Sequence, residues 1–378
     1  MLIGGRRYNI KLGLAVFLGI SVVTAAVILY LGVDRTTWPA LGRIKVRYGA
    51  LAAGLMIAQW LLNGLRFQIL INSFPEKVSF ATSFKAFMAN VFLAAMTPSQ
   101  TGGGPLQIYV LNRAGVPVAK AFAGCLMGAV LSVICLVASN LVVLGFSADL
   151  RAGMGHHVGT VFTIALAVLV GLAAVFLLSL VRIGWLKHGA GWLFLTLARP
   201  ASAGRKYSGT RRLMRGMDQY RASMLAFAGA KRSRVVAAAL VTLLAMTLNA
   251  AIAPALLAGL NAGGAPAKVF LMQYVVFFIA YFSPTPGASG VAELSNYWLT
   301  ASAGVQANVL GVFTVIWRFF NSFLGVGVGA AVVLSMLGKW KRGEAAARSG
   351  ESSGDEAGGP DPAARGDERV RPGIEGLE

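Results

Sequence analysis

Glu293 is the residue whose type and place most invite chemistry. The first 342 residues hold five acids: Asp34, Glu76, Asp149, Asp218 and Glu293. Only Glu293 sits inside an apolar stretch. An ionisable side chain in such surroundings is costly and marks a working group by default. On a helix starting near Val291, Glu293, Asn296, Tyr297 and Thr300 share one face. Two arginines also interrupt apolar runs. Arg318 shares its face with Gly311, Thr314, Asn321, Ser322 and Gly325, and Arg66 shares one with Gln59 and Asn63. An arginine at membrane depth costs about 2.5–3.5 kcal/mol on insertion scales unless paired or wetted. Either can pair with Glu293, and either can hold phosphate oxygens bidentately. Glu293 therefore has two readings, a site or coupling carboxylate and a lock on an arginine. For Arg66, nearer the end of its run, the plainer reading is snorkelling to the interface.

Two glycine-rich tips add a second kind of chemistry. Thr97-Pro98-Ser99-Gln100-Thr101-Gly102-Gly103-Gly104-Pro105 is one, and Ser283-Pro284-Thr285-Pro286-Gly287-Ala288-Ser289-Gly290 is the other. Such tips bare backbone N–H groups at the start of the next half-helix, where the dipole favours an anion such as a lipid phosphate. Arg113 and Lys120 follow the first tip, where they either face a headgroup or snorkel at the interface, and Gln107 is a further candidate for substrate binding. Other chemistries find no support. Cys125 and Cys135 lie ten residues apart in one apolar run, without the spacing of a metal site or the closeness of a disulfide. His156 and His157 are remote from His188, so no metal site and no cofactor are expected. Walker A and HExxH motifs are absent from the sequence.

The elements that must position these residues follow from composition. Of 378 residues, 56% are hydrophobic and 13% charged, with mean hydropathy +0.68. A soluble domain carries about 25% charged residues. The composition excludes a soluble multidomain enzyme and a disordered chain. The net charge of +20 is uneven, because residues 343–378 hold nine of the 14 acids. Charge-free runs of spanning length fall between Lys11 and Asp34, Lys120 and Asp149, Arg151 and Arg182, and Arg234 and Lys268. Two more spans, near 48–72 and 305–337, contain Arg66 and Arg318. The first run reads as a signal anchor, too long for a cleaved leader.

The expected fold is an all-α polytopic membrane protein of six full spans plus two re-entrant hairpins, Phe84–Met96 and Val269–Phe282 each running into a Pro/Gly tip. This layout places 18 Lys/Arg inside and six outside, with both termini cytoplasmic. The basic loop 185–234 then faces anionic headgroups; its sparse aromatics give no support to nucleic-acid binding. Residues 1–342 form the membrane domain, and 343–378 a disordered polar cytoplasmic tail. The hairpins align without gaps at an offset of 186, Phe92 over Phe278, Pro98 over Pro284, Gly104 over Gly290 and Gln107 over Glu293. Gly115-Val116 and Gly304-Val305 follow them. Hairpins entering from opposite sides have the layout of an inverted repeat, which places a binding site near the midplane.

The two tips, with Tyr109, Arg113-Ala-Gly-Val116, Glu293 and the later Arg318, resemble the flippase-like family named for the transmembrane region of lysylphosphatidylglycerol synthases. The resemblance covers roughly residues 10–338. It implies movement of a lipid between leaflets, in an inner membrane of bacterial type. The aminoacyl-transfer domain of the bifunctional members has no counterpart in this sequence, so no enzyme activity is implied, and a separate lipid-modifying enzyme becomes a candidate partner. The first half lacks an arginine equivalent to Arg318, a departure from symmetry. The reading is a translocase of a phosphate-bearing, anionic lipid headgroup. Its alternatives are a transporter of a polar solute or polyprenyl-linked glycan, and an intramembrane enzyme using Glu293. Neither substrate identity nor oligomeric state is encoded in any motif.

Overall fold

The computed structural model describes residues 45–97, 102–146 and 232–338, together with Leu2–Ile3, Arg6–Arg7, scattered positions between 15 and 30, and positions 167 and 171. The expected span 151–182 apart from positions 167 and 171, the basic loop 185–234 up to residue 231, and the tail 343–378 lie outside the described residues. The chain divides into two units, Met1–Val332 and Val333–Glu378. Of the second only residues 333–338 are described, and they are helical.

Apart from a two-residue ribbon, β1 (Leu2–Ile3) with β2 (Arg6–Arg7), the described elements are helices. In chain order they are α1 (Val46–Ile71), α2 (Phe80–Ala95), α3 (Gly103–Arg113), α4 (Val118–Phe146), α5 (Arg232–Leu260), α6 (Pro266–Tyr281), α7 (Val291–Ala301) and α8 (Ala307–Gly338). Four of them, α1, α4, α5 and α8, are long and apolar enough to cross a membrane. At about 1.5 Å per residue, the 26 residues of α1 reach past a hydrocarbon core of about 30 Å. In α1 the buried positions Ala52, Met56, Trp60, Gly64, Phe67 and Ile71 recur every three or four residues, a stripe that meets α8 at Gly325, α2 at Phe84 and α4 at Gly124, while α1 as a whole lies along α5. The opposite faces stay apolar and uncovered, as at Leu51, Ile57 and Leu61 of α1 and Leu240, Leu243 and Leu244 of α5. That pattern suits a lipid solvent and not water.

The same order, long helix, helical hairpin, long helix, occurs twice. The hairpin arms are 16 and 11 residues long in both halves, α2 and α3 in the first, α6 and α7 in the second. In each hairpin the ends meet. Glu76, before α2, pairs with Lys120 at the start of α4. Ala265, before α6, donates its N–H to the Ala303 carbonyl after α7 at 3.2 Å, and Gln306 donates back to Ala262 at 3.1 Å. The chain leaves each rising arm through a left-handed glycine, Gly115 at φ 90° and Gly304 at φ 79°, which explains the repeated Gly-Val pair.

The long helices α1 and α5 run antiparallel. The N–H of Lys45, before α1, donates to Gly259 at the end of α5 (3.0 Å), while Arg234 at the start of α5 donates to Asn72 at the end of α1 (3.0 Å). The two hairpins therefore enter the molecule from opposite ends of this pair. Cross-contacts repeat with the same relation. Asn140 of α4 donates to the Tyr274 carbonyl of α6 at 3.2 Å. At its counterpart in α8, Gly329, a Cβ would lie 2.7 Å from the carbonyl of Met88, the counterpart of Tyr274. The ungapped offset of 186 holds for α2 and α6 but not beyond the tips. The second tip is two residues longer, so Gly102, and not Gly104, takes the N-cap place of Gly290, and Gln107 is not the counterpart of Glu293.

Candidate functional site

The second tip is built by backbone that only a few sequences tolerate. Gly287 and Ala288 are both left-handed, at φ 56° and 57°, and Gly290 follows at φ 84°. A non-glycine residue in that region carries strain of about 1–3 kcal/mol and persists only where its surroundings hold it. Arg318 does the holding. Its Nη2 donates to the Gly287 carbonyl at 2.8 Å and to Ser289 Oγ at 3.3 Å, and its Nε lies 2.9 Å from Glu293 Oε1. This last contact is an ion pair whose direction departs from a linear hydrogen bond. Glu293, at the third helical position of α7, turns its Oε2 back to accept the Gly290 N–H at 2.9 Å. Only this half of a capping box forms, because Gly290 has no side chain to return it. Ser21, near the N-terminus, completes the cradle with its hydroxyl 2.8 Å from that of Ser289.

Glu293 and Arg318 are both nearly buried, with side chains 2% and 5% exposed. The pairing left open by the sequence is thus made with Arg318. Arg66 goes elsewhere, donating from Nη1 to Ser132 Oγ of α4 at 2.5 Å. Ser132 lies one turn from Ala129, the α4 position that corresponds to Arg318 when α4 is laid over α8. A cation from α1 thus reaches the place where the first half lacks one of its own.

The N–H groups expected to stand bare at the tips are in part already used. At the second tip the anion at the start of α7 is the protein's own Glu293. At the first, Gly102 N–H donates to Thr97 Oγ1 at 2.8 Å, while Pro98 to Thr101 lie outside the described residues. Gly103 lets α3 approach α2, since any Cβ there would overlap the Asn90 side chain, whereas Gly104 has open space. Gln107 is buried and accepts from Asn90 Nδ2 across the hairpin at 3.4 Å. Arg113 lies away from the tip. It ends α3 at the hairpin mouth, exposed over the Tyr109 ring, about 15 Å along the helix from the tip. Asn296 is fully buried between the arms of the second hairpin, where it accepts from Gln273 Nε2 at 3.0 Å.

A cavity of about 340 Å³ lies where the two hairpins approach each other. Val91, Ala94 and Ala95 of α2, Gly287, Ala288 and Ala292 of the second tip, and Trp317, Arg318, Asn321, Ser322 and Val326 of α8 line it. Leu136, Met246, Asn249, Phe277, Ala280 and Tyr281 close the other sides. Of the residues expected from the sequence, Arg318, Asn321 and Gly287 stand on this wall; Glu293 lies directly behind Arg318, and Arg66, Asn296, Gln107 and Arg113 are not part of it. Asn249, Phe277, Tyr281 and Trp317 were not legible as site residues, because each sits in an apolar run with no local signal. The last helix does carry a mark. Phe319–Phe323, which includes Asn321 and Ser322, forms a π-helical turn, a distortion frequent at functional sites. Among the described residues no cluster of three His, Cys, Asp or Glu side chains could hold a metal.

Residues 12–329 match the family described as the lysylphosphatidylglycerol synthase TM region. The chain belongs to that family. It is also similar to a UPF0104 membrane protein of Archaeoglobus fulgidus, 27% identical over 330 residues, which are 85% of this chain and 96% of that protein. Membership accounts for the apolar outer faces of the helices: this is an integral membrane protein.

Proposed function

We propose that this family member moves a phosphate-bearing lipid between membrane leaflets, the headgroup passing through the cavity between the two hairpin tips while the acyl chains stay in the bilayer. The cavity carries the reading. It is concave and mostly apolar, with a few convergent polar groups, and its volume falls in the range of about 300–1,000 Å³ typical of small-molecule sites. In this reading the hairpins are re-entrant and form an inverted repeat, for which the opposite entry points, equal arm lengths and paired cross-contacts speak. In the same reading the chain makes six spans with cytoplasmic termini, which the charge distribution supports, and sits in an inner membrane of bacterial type, which the family resemblance implies. The protein acts on lipid without transferring groups itself, and a separate lipid-modifying enzyme is a natural partner.

The test fills the cavity without touching the ion pair. Ala280→Trp should abolish exchange of an acyl-labelled phospholipid between leaflets of proteoliposomes, and Leu244→Trp, on the exposed face of α5, should not. Exchange at the wild-type rate in folded Ala280→Trp would overturn the proposal.

A further inference from the structure

A second cavity, of about 580 Å³, lies between the end of α1 and the start of α5 and shares no residue with the first. Gln68, Ile69, Asn72, Lys77, Ser233 and Arg234 line it. Two cations meet here on one oxygen. Lys77 Nζ donates to the Asn72 carbonyl at 2.7 Å, and Arg234 Nη1 donates to the same carbonyl at 3.0 Å. The two nitrogens therefore stand no more than about 6 Å apart, where like charges repel. Among the described residues the acids are Glu76 and Glu293, and both are taken, by Lys120 and Arg318. The helix ends do not supply the balance. The C-terminus of α1 brings about half a negative charge and the N-terminus of α5 about half a positive one, so they cancel. The pocket thus carries two positive side chains that no described carboxylate matches. The turn that bears Lys77 is also held in place. Asn72 Oδ1 accepts the Val78 N–H at 2.8 Å, and the Asn72 and Gln68 amides both donate to the Val78 carbonyl at 3.2 Å.

We propose that this pocket binds the phosphomonoester headgroup of a membrane lipid, a dianion of the phosphatidate type. Charge sets the class. A phosphomonoester carries about −1.5 to −2 at neutral pH, close to the two positive charges it meets, whereas the phosphodiester of a glycerol headgroup carries a single charge. Its oxygens accept from the planar fork of Arg234, from the Lys77 ammonium and from the Ser233 hydroxyl. The surroundings favour a lipid over a free phosphate. Both α1 and α5 have spanning length, and the pocket sits at their ends, at the level of headgroups. Leu61 and Leu65 of α1 lie on the face of Gln68 and Ile69, and Leu240 and Leu244 of α5 on the face of Ser233 and Ala237. All four leucines are exposed. These apolar rows lead away from the pocket along both helices and give the acyl chains their path. The lipid is a resident that bridges α1 and α5, not cargo, and the inference does not depend on the translocation reading.

The experiment titrates the full chain in detergent with lipid and reads bound lipid by native mass spectrometry. Three probes are compared: phosphatidic acid, phosphatidylglycerol and phosphatidylcholine. Phosphatidic acid should bind about fivefold more tightly than phosphatidylglycerol, the factor that one further charge is worth near a membrane surface. Lys77→Gln combined with Arg234→Gln should remove that preference, and Lys85→Gln, on the exposed side of α2, should not. Excess inorganic phosphate should leave phosphatidic acid bound. Equal binding of phosphatidic acid and phosphatidylglycerol to the wild type overturns the dianion. A preference that survives in the folded double variant overturns the site, and displacement by inorganic phosphate overturns the lipid source. A photoactivatable phosphatidic acid keeps the site testable if the double variant does not fold. Its adducts on the wild type should map to residues 61–69 and 237–244, and adducts confined to other segments overturn the proposal. None of these readouts depends on movement between leaflets.

Discussion

The ion pair at the second tip makes a quantitative prediction about stability. Arg318→Met leaves the Glu293 carboxyl at 2% exposure without its counter-charge, with the Gly290 N–H as its remaining hydrogen bond, and removes the donors to Gly287 and Ser289. Losing one partner of a buried pair costs about 3–5 kcal/mol. Glu293→Gln is milder. The amide oxygen can still accept from Gly290, and Arg318 keeps the Gly287 carbonyl and the Ser289 hydroxyl, so about 2–3 kcal/mol is expected, the range for hydrogen bonds to charged groups. The double variant leaves no buried charge and should cost no more than about 2–4 kcal/mol, well under the sum of the singles. The coupling energy is then about 3–4 kcal/mol, at or just above the upper end for contacting residues. Equilibrium unfolding in bicelles, read by steric trapping on all four proteins, measures it. Additive single effects, with coupling below about 0.5 kcal/mol, would refute the lock and leave the 2.9 Å contact energetically idle.

Three further outcomes are expected. Gly103→Ala forces a Cβ into Asn90 and should lower stability by about 1–3 kcal/mol, whereas Gly104→Ala, which meets nothing, should be neutral; equal effects would show that α2 and α3 are not so closely packed. The hydrogen bond from Lys120 holds the Glu76 carboxyl below its ordinary range. A depressed folded pKa gives stability that is present at neutral pH and lost as pH falls below about 4 through that lowered value. At this partly exposed pair it amounts to under about 1 kcal/mol, so Glu76→Gln should flatten the acid limb of the stability curve, and an unchanged limb would contradict the pairing. Finally, Ser21→Cys with Ser289→Cys, in a background with Cys125 and Cys135 replaced by Ala, should oxidise to a disulfide because the hydroxyls lie 2.8 Å apart. Thiols that alkylate fully without prior reduction would place Ser21 elsewhere.

What the sequence reveals follows from where the signal is local. Long apolar runs identify α1, α4, α5 and α8 because a span is set by composition over about 20 residues. The tips were legible because Pro and Gly in series admit few conformations. Glu293 and Arg318 stood out because charge in an apolar run is rare. Their pairing, in preference to Glu293 with Arg66, depends on how α7, α8 and the tip meet, and no local pattern carries that. The two-residue difference between the tips was hidden for a related reason. Gly102, Gly103 and Gly104 are interchangeable in a pattern, and only the approach of Asn90 and the cap on Thr97 set them apart. The aromatic wall was invisible because Phe277, Tyr281 and Trp317 differ from ordinary core residues only in what they face.

The tip also shows why an internal carboxylate sits where a ligand anion was expected. A helix N-terminus in an apolar interior has orphan N–H groups that must be met at all times, not only when substrate is bound. Glu293 meets one of them permanently, but a bare carboxylate there would itself be a buried charge, and Arg318 removes that cost. The arginine then has donors to spare, and two of them secure the strained Gly287–Ser289 turn. One ion pair thus caps α7 and holds the tip in shape, and its two charges match each other. A phosphate that arrives at Arg318 must compete with the same carbonyl, hydroxyl and carboxylate that fix the tip. On the translocation reading, headgroup binding and loosening of the second hairpin draw on one set of contacts, and they must rise and fall together.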